Sequence, residues 1–177
     1  MSALAGLLRS TWRQQVEDGF LLGDPTAPVE TRHADDPVSG IRFRFRWLPH
    51  RAIRGVPAEL ARRGVYDPSC EGEDLPTDSR DPAGRPCFLC AGMIRRCFPL
   101  EVLLPMEAGG RSWLAGANFA WLAAEHFTVA SAAHEDQAYD PGVLDAMVGL
   151  HEQTGGAFRV VYNGPGAGAS IPWHLHL

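Results

Sequence analysis

The sequence predicts an α+β domain in which helices pack on an antiparallel sheet. Three observations predict it. The chain has 177 residues, 45% of them hydrophobic and 21% charged, enough for one domain with a real core. From Val102 onward, short strand-like runs follow one another through tight turns. Helical spacing of apolar residues appears at the N-terminus and again after Asp140. Consecutive strands joined by short turns pair antiparallel, and helices packed on such a sheet make the α+β class.

Taken in order, Leu4, Leu7, Leu8, Trp12 and Val16 have helical spacing, and Gly23-Asp24-Pro25 ends the run, so a packing helix is expected first. A polar, proline-containing linker completes residues 1–40, and the main domain is expected over 41–177. Ile41, Phe43 and Phe45 alternate with Arg42, Arg44 and Arg46, the pattern of a half-buried strand that Pro49 stops. Residues 66–86 are rich in proline and acids and poor in apolar side chains, which predicts a loop or insertion. Strands are expected at 102–106, 111–118 and 127–131, with Gly109-Gly110 turning between the first two. Asp140-Pro141 supplies an N-cap and a proline at the first helical position. The buried stripe of that helix is expected at Val143, Leu144, Met147, Val148 and Leu150, before Gly155-Gly156 ends it. A last predicted strand, 158–162, leads through a glycine-rich stretch, 163–170, into the closing segment 171–177.

A net charge of −5 leaves no basic footprint for nucleic acid, since the arginines at 42, 44 and 46 belong to an alternating strand. No apolar run approaches the roughly 20 residues that span a bilayer, and the N-terminus lacks the order of a signal peptide. A cytoplasmic chain without membrane or nucleic-acid partners is therefore expected. In a reducing compartment, Cys87-Phe88-Leu89-Cys90 suggests a metal or redox pair, while Cys70 and Cys97 lack such spacing and are expected to be bystanders.

The strongest chemical signal is the glycine-rich stretch followed by His174-Leu175-His176. In a strand, residues two apart share a face, so both imidazoles would line one site while Leu175 and Leu177 pack on the other side. Small upstream residues let a ligand approach the backbone and offer amide donors to an anion. The alternative is a surface loop feeding a strand with two incidental histidines. The second signal joins Cys87 and Cys90 to distant histidines. Zinc takes four nitrogen or sulfur ligands in a tetrahedron, and a Cys-x-x-Cys knuckle supplies two. Candidates for the others are His126, His134 and one of the final pair; the alternative is that the cysteines are small core residues.

Together these pieces resemble the galactose-1-phosphate uridylyltransferase and nucleotide-phosphorylase branch of the histidine-triad superfamily, which includes dinucleoside polyphosphate and GDP-hexose phosphorylases. The likeness covers residues 41–177. Pro49-His50-Arg51-Ala52-Ile53-Arg54 is similar to a segment that grips nucleotide phosphates, Cys87 to Gly92 to a zinc knuckle, and Asn118-Phe119-Ala120 to a strand end that contacts the nucleoside. The stretch from Phe127 to His134 resembles the strand whose histidine ligates zinc, and Asn163 with Gly168-Ala169-Ser170 through His176 resembles the closing signature. The resemblance implies a histidine-triad-like fold, a structural zinc held by Cys87, Cys90, His134 and His174, and His176 as the nucleophile toward an α-phosphate. It implies Arg51, Arg54, Asn118, Asn163, Gly168 and Ser170 as substrate-binding residues, and a homodimer as a plausible assembly. The implied activity is nucleotidyl transfer or phosphorolysis of a nucleotide sugar or dinucleoside polyphosphate through a nucleotidyl-histidine. The rivals are a zinc-stabilised nucleotide-binding module without turnover and a histidine-triad nucleotide hydrolase.

Three departures stand out. Trp173 separates Pro172 from His174, Met93 stands where asparagine is common, and the family's glutamine two residues beyond the nucleophile has no counterpart before Leu177. A free carboxylate one residue beyond His176 would repel a bound phosphate, so the expectation is a fragment whose next residues complete the strand, the alternative being a degenerate member.

Overall fold

Gly109 and Gly110 turn the chain with positive φ, +58° and +71°, between the first two strands of the central sheet. The computed structural model describes residues 2–51, 56–71, 83–84, 87–167, 169 and 171–177. In it, β3 (Leu103–Ala108), β4 (Arg111–Ala117) and β5 (Phe127–Ser131) form an antiparallel sheet in the order β3-β4-β5. The hairpin turn also packs closely on a helix: a Cβ on Gly109 would collide with the backbone of α4 (Pro141–Gln153) at Gly142 and Ala146. Glycine is thus required there by backbone geometry and by space.

Register fixes what each face of the sheet does. Met106 lies opposite Trp113, and Trp113 opposite Ser131, so these residues share one face, which is buried. On that face α4 packs Val143, Ala146 and Leu150, α1 (Ala3–Glu17) contributes Leu8, and Leu175 and Leu177 complete the core. Asp140 caps α4 as expected: its side chain accepts from the Val143 amide at 3.0 Å, and its other oxygen pairs with Arg111 at 2.5 Å. The expected stripe of α4 needs correction. Leu144 and Val148 are about half exposed, because the row through 143, 146 and 150, with Met147 partly buried beside it, is what meets the sheet. A second core lies around α3 (Ala91–Cys97), where Met93 and Ile94 meet Trp12, Phe20, Tyr66 and Phe98.

The chain is therefore α+β with antiparallel sheets, as its sequence predicts. Other expectations are corrected. The linker contains a strand, β1 (Thr31–Asp35), which pairs with β2 (Arg42–Arg46) in a separate two-stranded sheet. Every position of both strands is exposed, so β2 is not half-buried. The reason is its partner: β1 reads Thr-Arg-His-Ala-Asp, which offers no apolar face to continue the row of Phe43 and Phe45. Residues 158–162 form no strand; Phe158, Val160 and Tyr162 instead lean on the core between the sheet and α4 as partly buried side chains. Their strand-like composition reflects packing rather than pairing. A short helix, α2 (Val56–Arg62), precedes the expected loop, which begins with a 3₁₀ turn at Pro68–Glu71 and lies largely outside the described residues.

Cys70 and Cys97 are not bystanders. They form a disulfide across 27 residues, with Cα atoms 5.2 Å apart, joining the 3₁₀ turn to the end of α3. Spacing could not reveal the pair because the turn reaches α3 only through the fold, where the Asp67 amide donates to the Cys97 carbonyl at 2.8 Å. Among the described residues, no helix is long and apolar enough to cross a membrane.

Candidate metal centre and nucleophile site

The residues from Cys87 to Cys90 fold into a tight turn, closed by the Cys90 amide donating to the Cys87 carbonyl at 3.1 Å. Cys90 then occupies the N-cap of α3, so both thiols are fixed at the mouth of one helix. His134 enters just after β5, and His174 arrives with the closing segment. The ligand atoms of Cys87, Cys90, His134 and His174 all lie within 4.8 Å of one another. Cys87 Sγ is 3.2 Å from His174 Nδ1, and Cys90 Sγ is 3.1 Å from His134 Nδ1. The Cys87 thiol is pulled down to about 4, chiefly by its hydrogen bond with Cys90 and further by His174, against the opposing effect of burial. His174 is fully buried, and its Nε2–H donates to the Ser131 carbonyl at 2.9 Å, which leaves the Nδ1 lone pair facing the thiols. A ligating histidine held through its other nitrogen is the arrangement a metal site requires. Four such groups, three of them buried, are a set able to hold a metal ion.

Two residues on, the backbone alternation places the next imidazole differently. His176 bridges Ala130 on the free edge of β5, while Leu177 exchanges both backbone hydrogen bonds with Val129, at 2.9 and 3.1 Å. The closing segment thus extends the sheet, with Leu175 and Leu177 in the core and both histidines away from it. His176 Nδ1–H donates to the His174 carbonyl at 2.8 Å, so Nε2 carries the lone pair. Burial is the main cause holding this imidazole below its ordinary value, which keeps it neutral.

His176 lines a cavity of about 430 Å3. Its walls are largely apolar, with Tyr66, Phe88, Phe98 and Phe119 among them, and its polar groups include Arg51, Glu101, Asn118, His126 and Asn163. A pocket of this size, mostly apolar with a few convergent polar groups, has the character of a small-ligand site.

With this geometry in view, residues 74–177 match the model of a family described as "Domain of unknown function (DUF4922)". The chain belongs to this family. No curated protein and no solved structure matches it. The match takes in both thiols, both imidazoles that face them and His176, so the family's region carries the whole cluster.

For this family member, the structure brings together Cys87, Cys90, His134 and His174 as one cluster and sets His176, Arg51, Asn118 and Asn163 around one cavity. Arg54, Gly168 and Ser170 lie outside the described residues. Several of the gathered residues are partly engaged already. The Arg51 guanidinium donates to the Ala120 carbonyl, and Asn118 both donates to Thr128 Oγ1 and accepts from the Ala120 amide, each at 3.0 Å. His126 stays out of the thiol cluster: its Nδ1 accepts from the Leu122 amide at 3.0 Å, and it lines the cavity instead.

Two residues escaped the sequence reading. Gln137 is almost fully buried, and its amide binds three backbone groups at once: Nε2 donates to the Asn163 and His176 carbonyls, both at 2.9 Å, and Oε1 accepts from the His176 amide at 2.7 Å. It ties the glycine-rich stretch to the closing segment. No local pattern marks a glutamine for such a role, since all the partners of its side-chain amide lie at least 26 residues away. Glu101 is the other: among the described residues it has no charged partner.

Proposed function

We propose that the chain is a nucleotidyltransferase or phosphorylase of histidine-triad-like type, acting on a nucleotide sugar or a dinucleoside polyphosphate through a nucleotidyl-His176 intermediate. The observation that carries this reading is the 2.8 Å hydrogen bond from His176 Nδ1–H to the His174 carbonyl, on a cavity-lining imidazole. Attack by an imidazole needs one nitrogen free as a lone pair and the other stabilised as positive charge develops, and that bond supplies both.

In the first step His176 Nε2 attacks the α-phosphorus. A P–N bond forms, the P–O bond to the departing sugar phosphate or nucleotide breaks, and the leaving oxygen carries away the electron pair. The Nδ1 proton stays on the imidazole, held by the His174 carbonyl. In the second step inorganic phosphate or a sugar phosphate attacks, the P–N bond breaks, and the neutral imidazole returns. Arg51 serves the phosphoryl oxygens when it releases Ala120, and Asn118 and Asn163 serve the nucleoside end.

Zinc suits the Cys87–Cys90–His134–His174 set, because two thiolates and two imidazoles make a closed tetrahedral ligand sphere. Such an ion is structural: it would hold the closing segment against the knuckle. Mass spectrometry of protein mixed with nucleotide sugars and with dinucleoside polyphosphates tests the proposal. The expected result is a nucleotide adduct on wild type that is lost in His176→Ala; nucleotide binding without any adduct would leave the chain a binding module and refute the transferase reading. Adduct release without added phosphate acceptor would instead identify a hydrolase.

A further inference from the structure

The cavity holds one carboxyl group that the transfer chemistry does not use. Glu101 sits between α3 and β3, and its side chain lies over Gly116 near the end of β4, where the absence of a Cβ leaves room for the carboxyl. Among the described residues, no hydrogen bond or ion pair engages that carboxyl. Its neighbours on the cavity wall include Phe98 and Phe119, whose rings stack at 5.9 Å. Among the described residues, the other titratable side chains lining the cavity are Arg51, His126, His176 and Tyr66, and Arg51 is turned to the Ala120 carbonyl.

Position says which end of a nucleotide this carboxyl meets. Gly116 lies opposite Thr128 on β5, and His176 pairs across the far edge of β5 at Ala130. Glu101 and His176 are therefore two strand spacings apart, roughly 10 Å or slightly more. That separation is about the reach from an α-phosphate to the edge of its base. A carboxyl beside the phosphate would repel it; one at the far, apolar end does not.

We propose, resting on the nucleotide reading above, that Glu101 as a neutral carboxylic acid recognises the base, and that the base is one presenting a ring-nitrogen acceptor beside an amino donor, as adenine and cytosine do. A neutral carboxyl offers an O–H donor and a carbonyl acceptor side by side, which matches that edge with two hydrogen bonds. An ionised carboxylate only accepts, and would suit the paired N–H donors of guanine instead. The setting selects the neutral form: among the described residues no cation pairs with Glu101, and burial pushes its carboxyl up to about 8.

Isothermal titration of AMP, CMP, GMP and UMP into wild type, Glu101→Gln and Glu101→Ala, at pH 7 and pH 9, tests this. AMP or CMP should bind wild type at least tenfold tighter than GMP and UMP at pH 7. That advantage should fall about tenfold at pH 9, where the acid is ionised. Glu101→Gln keeps a donor and an acceptor in the same places, so it should retain the preference and lose its pH dependence. Glu101→Ala should abolish the preference. A preference for GMP or UMP, or one that survives Glu101→Ala, overturns the assignment. If Glu101→Ala fails to fold, an unchanged pH dependence in Glu101→Gln overturns it equally. A His176 adduct that forms with no base preference defeats the Glu101 proposal alone, whereas absence of both adduct and nucleotide binding defeats the nucleotide reading with it.

Discussion

Replacing Gln137 with leucine removes the amide that holds the closing segment while keeping the site filled. Three hydrogen bonds disappear: two to the His176 backbone, at 2.7 and 2.9 Å, and one to the Asn163 carbonyl, at 2.9 Å. Asn163 is exposed, so its carbonyl regains water, but the His176 amide and carbonyl lie where Gln137 itself is almost inaccessible. Leaving a buried backbone group unpaired costs roughly 1 to 3 kcal/mol. Two such groups, less about 1 to 2 kcal/mol recovered by burying leucine, give a net loss of about 1 to 4 kcal/mol. For a chain of this size each kcal/mol moves the melting temperature by roughly 2 to 4 °C, so Gln137→Leu should lower it by roughly 2 to 16 °C, with a central value of about 8 °C. Circular dichroism melts measure this directly, and adduct formation at His176 should slow as well, because the imidazole is anchored through the same backbone. A melting temperature within about 2 °C of wild type for Gln137→Leu would show that the segment is held by the sheet edge alone.

The metal centre makes a second prediction. Purified protein should contain about one zinc per chain by elemental analysis, the number a single four-ligand set holds. Chelation or Cys87→Ser should lower thermal stability together with metal content; a metal-free protein of unchanged stability would refute a structural ion. Glu101 makes a third. Its carboxyl is raised in the fold from an ordinary value of 4.5 to about 8, so it disfavours folding once the unfolded chain ionises. The sign follows: stability relative to Glu101→Gln should be greatest below pH 4.5, decline as pH rises, and level off above pH 8. Parallel melts across that range check it, and a difference independent of pH contradicts the burial of this group.

What was legible in the sequence divides by the range of the interaction. The alternation in His174-Leu175-His176 could be read because a strand repeats every two residues, and the structure does place Leu175 and Leu177 in the core with the histidines away from it. The Asp140 cap and the 127–131 strand were equally local, and both stand as read. The metal set was open between His126, His134 and the final pair. Only the fold separates His126, whose ring is taken by the Leu122 amide, from His134, 3.1 Å from Cys90. Gln137, Glu101 and the Cys70–Cys97 disulfide carry no periodic or spacing signal, because each owes its role to segments distant in sequence. The hairpin of β1 and β2 failed for a related reason: alternation in one strand predicts burial only if something covers it.

The spacing of the closing segment restricts how this family can vary. Leucines and histidines alternate against the edge of β5, so a shift by one residue would turn Leu175 and Leu177 into the cavity and press both imidazoles into hydrocarbon. An insertion or deletion between His174 and His176 would therefore disrupt the candidate metal cluster and the proposed nucleophile in one event. Upstream, where the chain bends toward Trp173, no such ladder enforces the count. Length changes should be found before His174 and be absent after it, which makes the distance between the two histidines a better marker of a working relative than the residues flanking them.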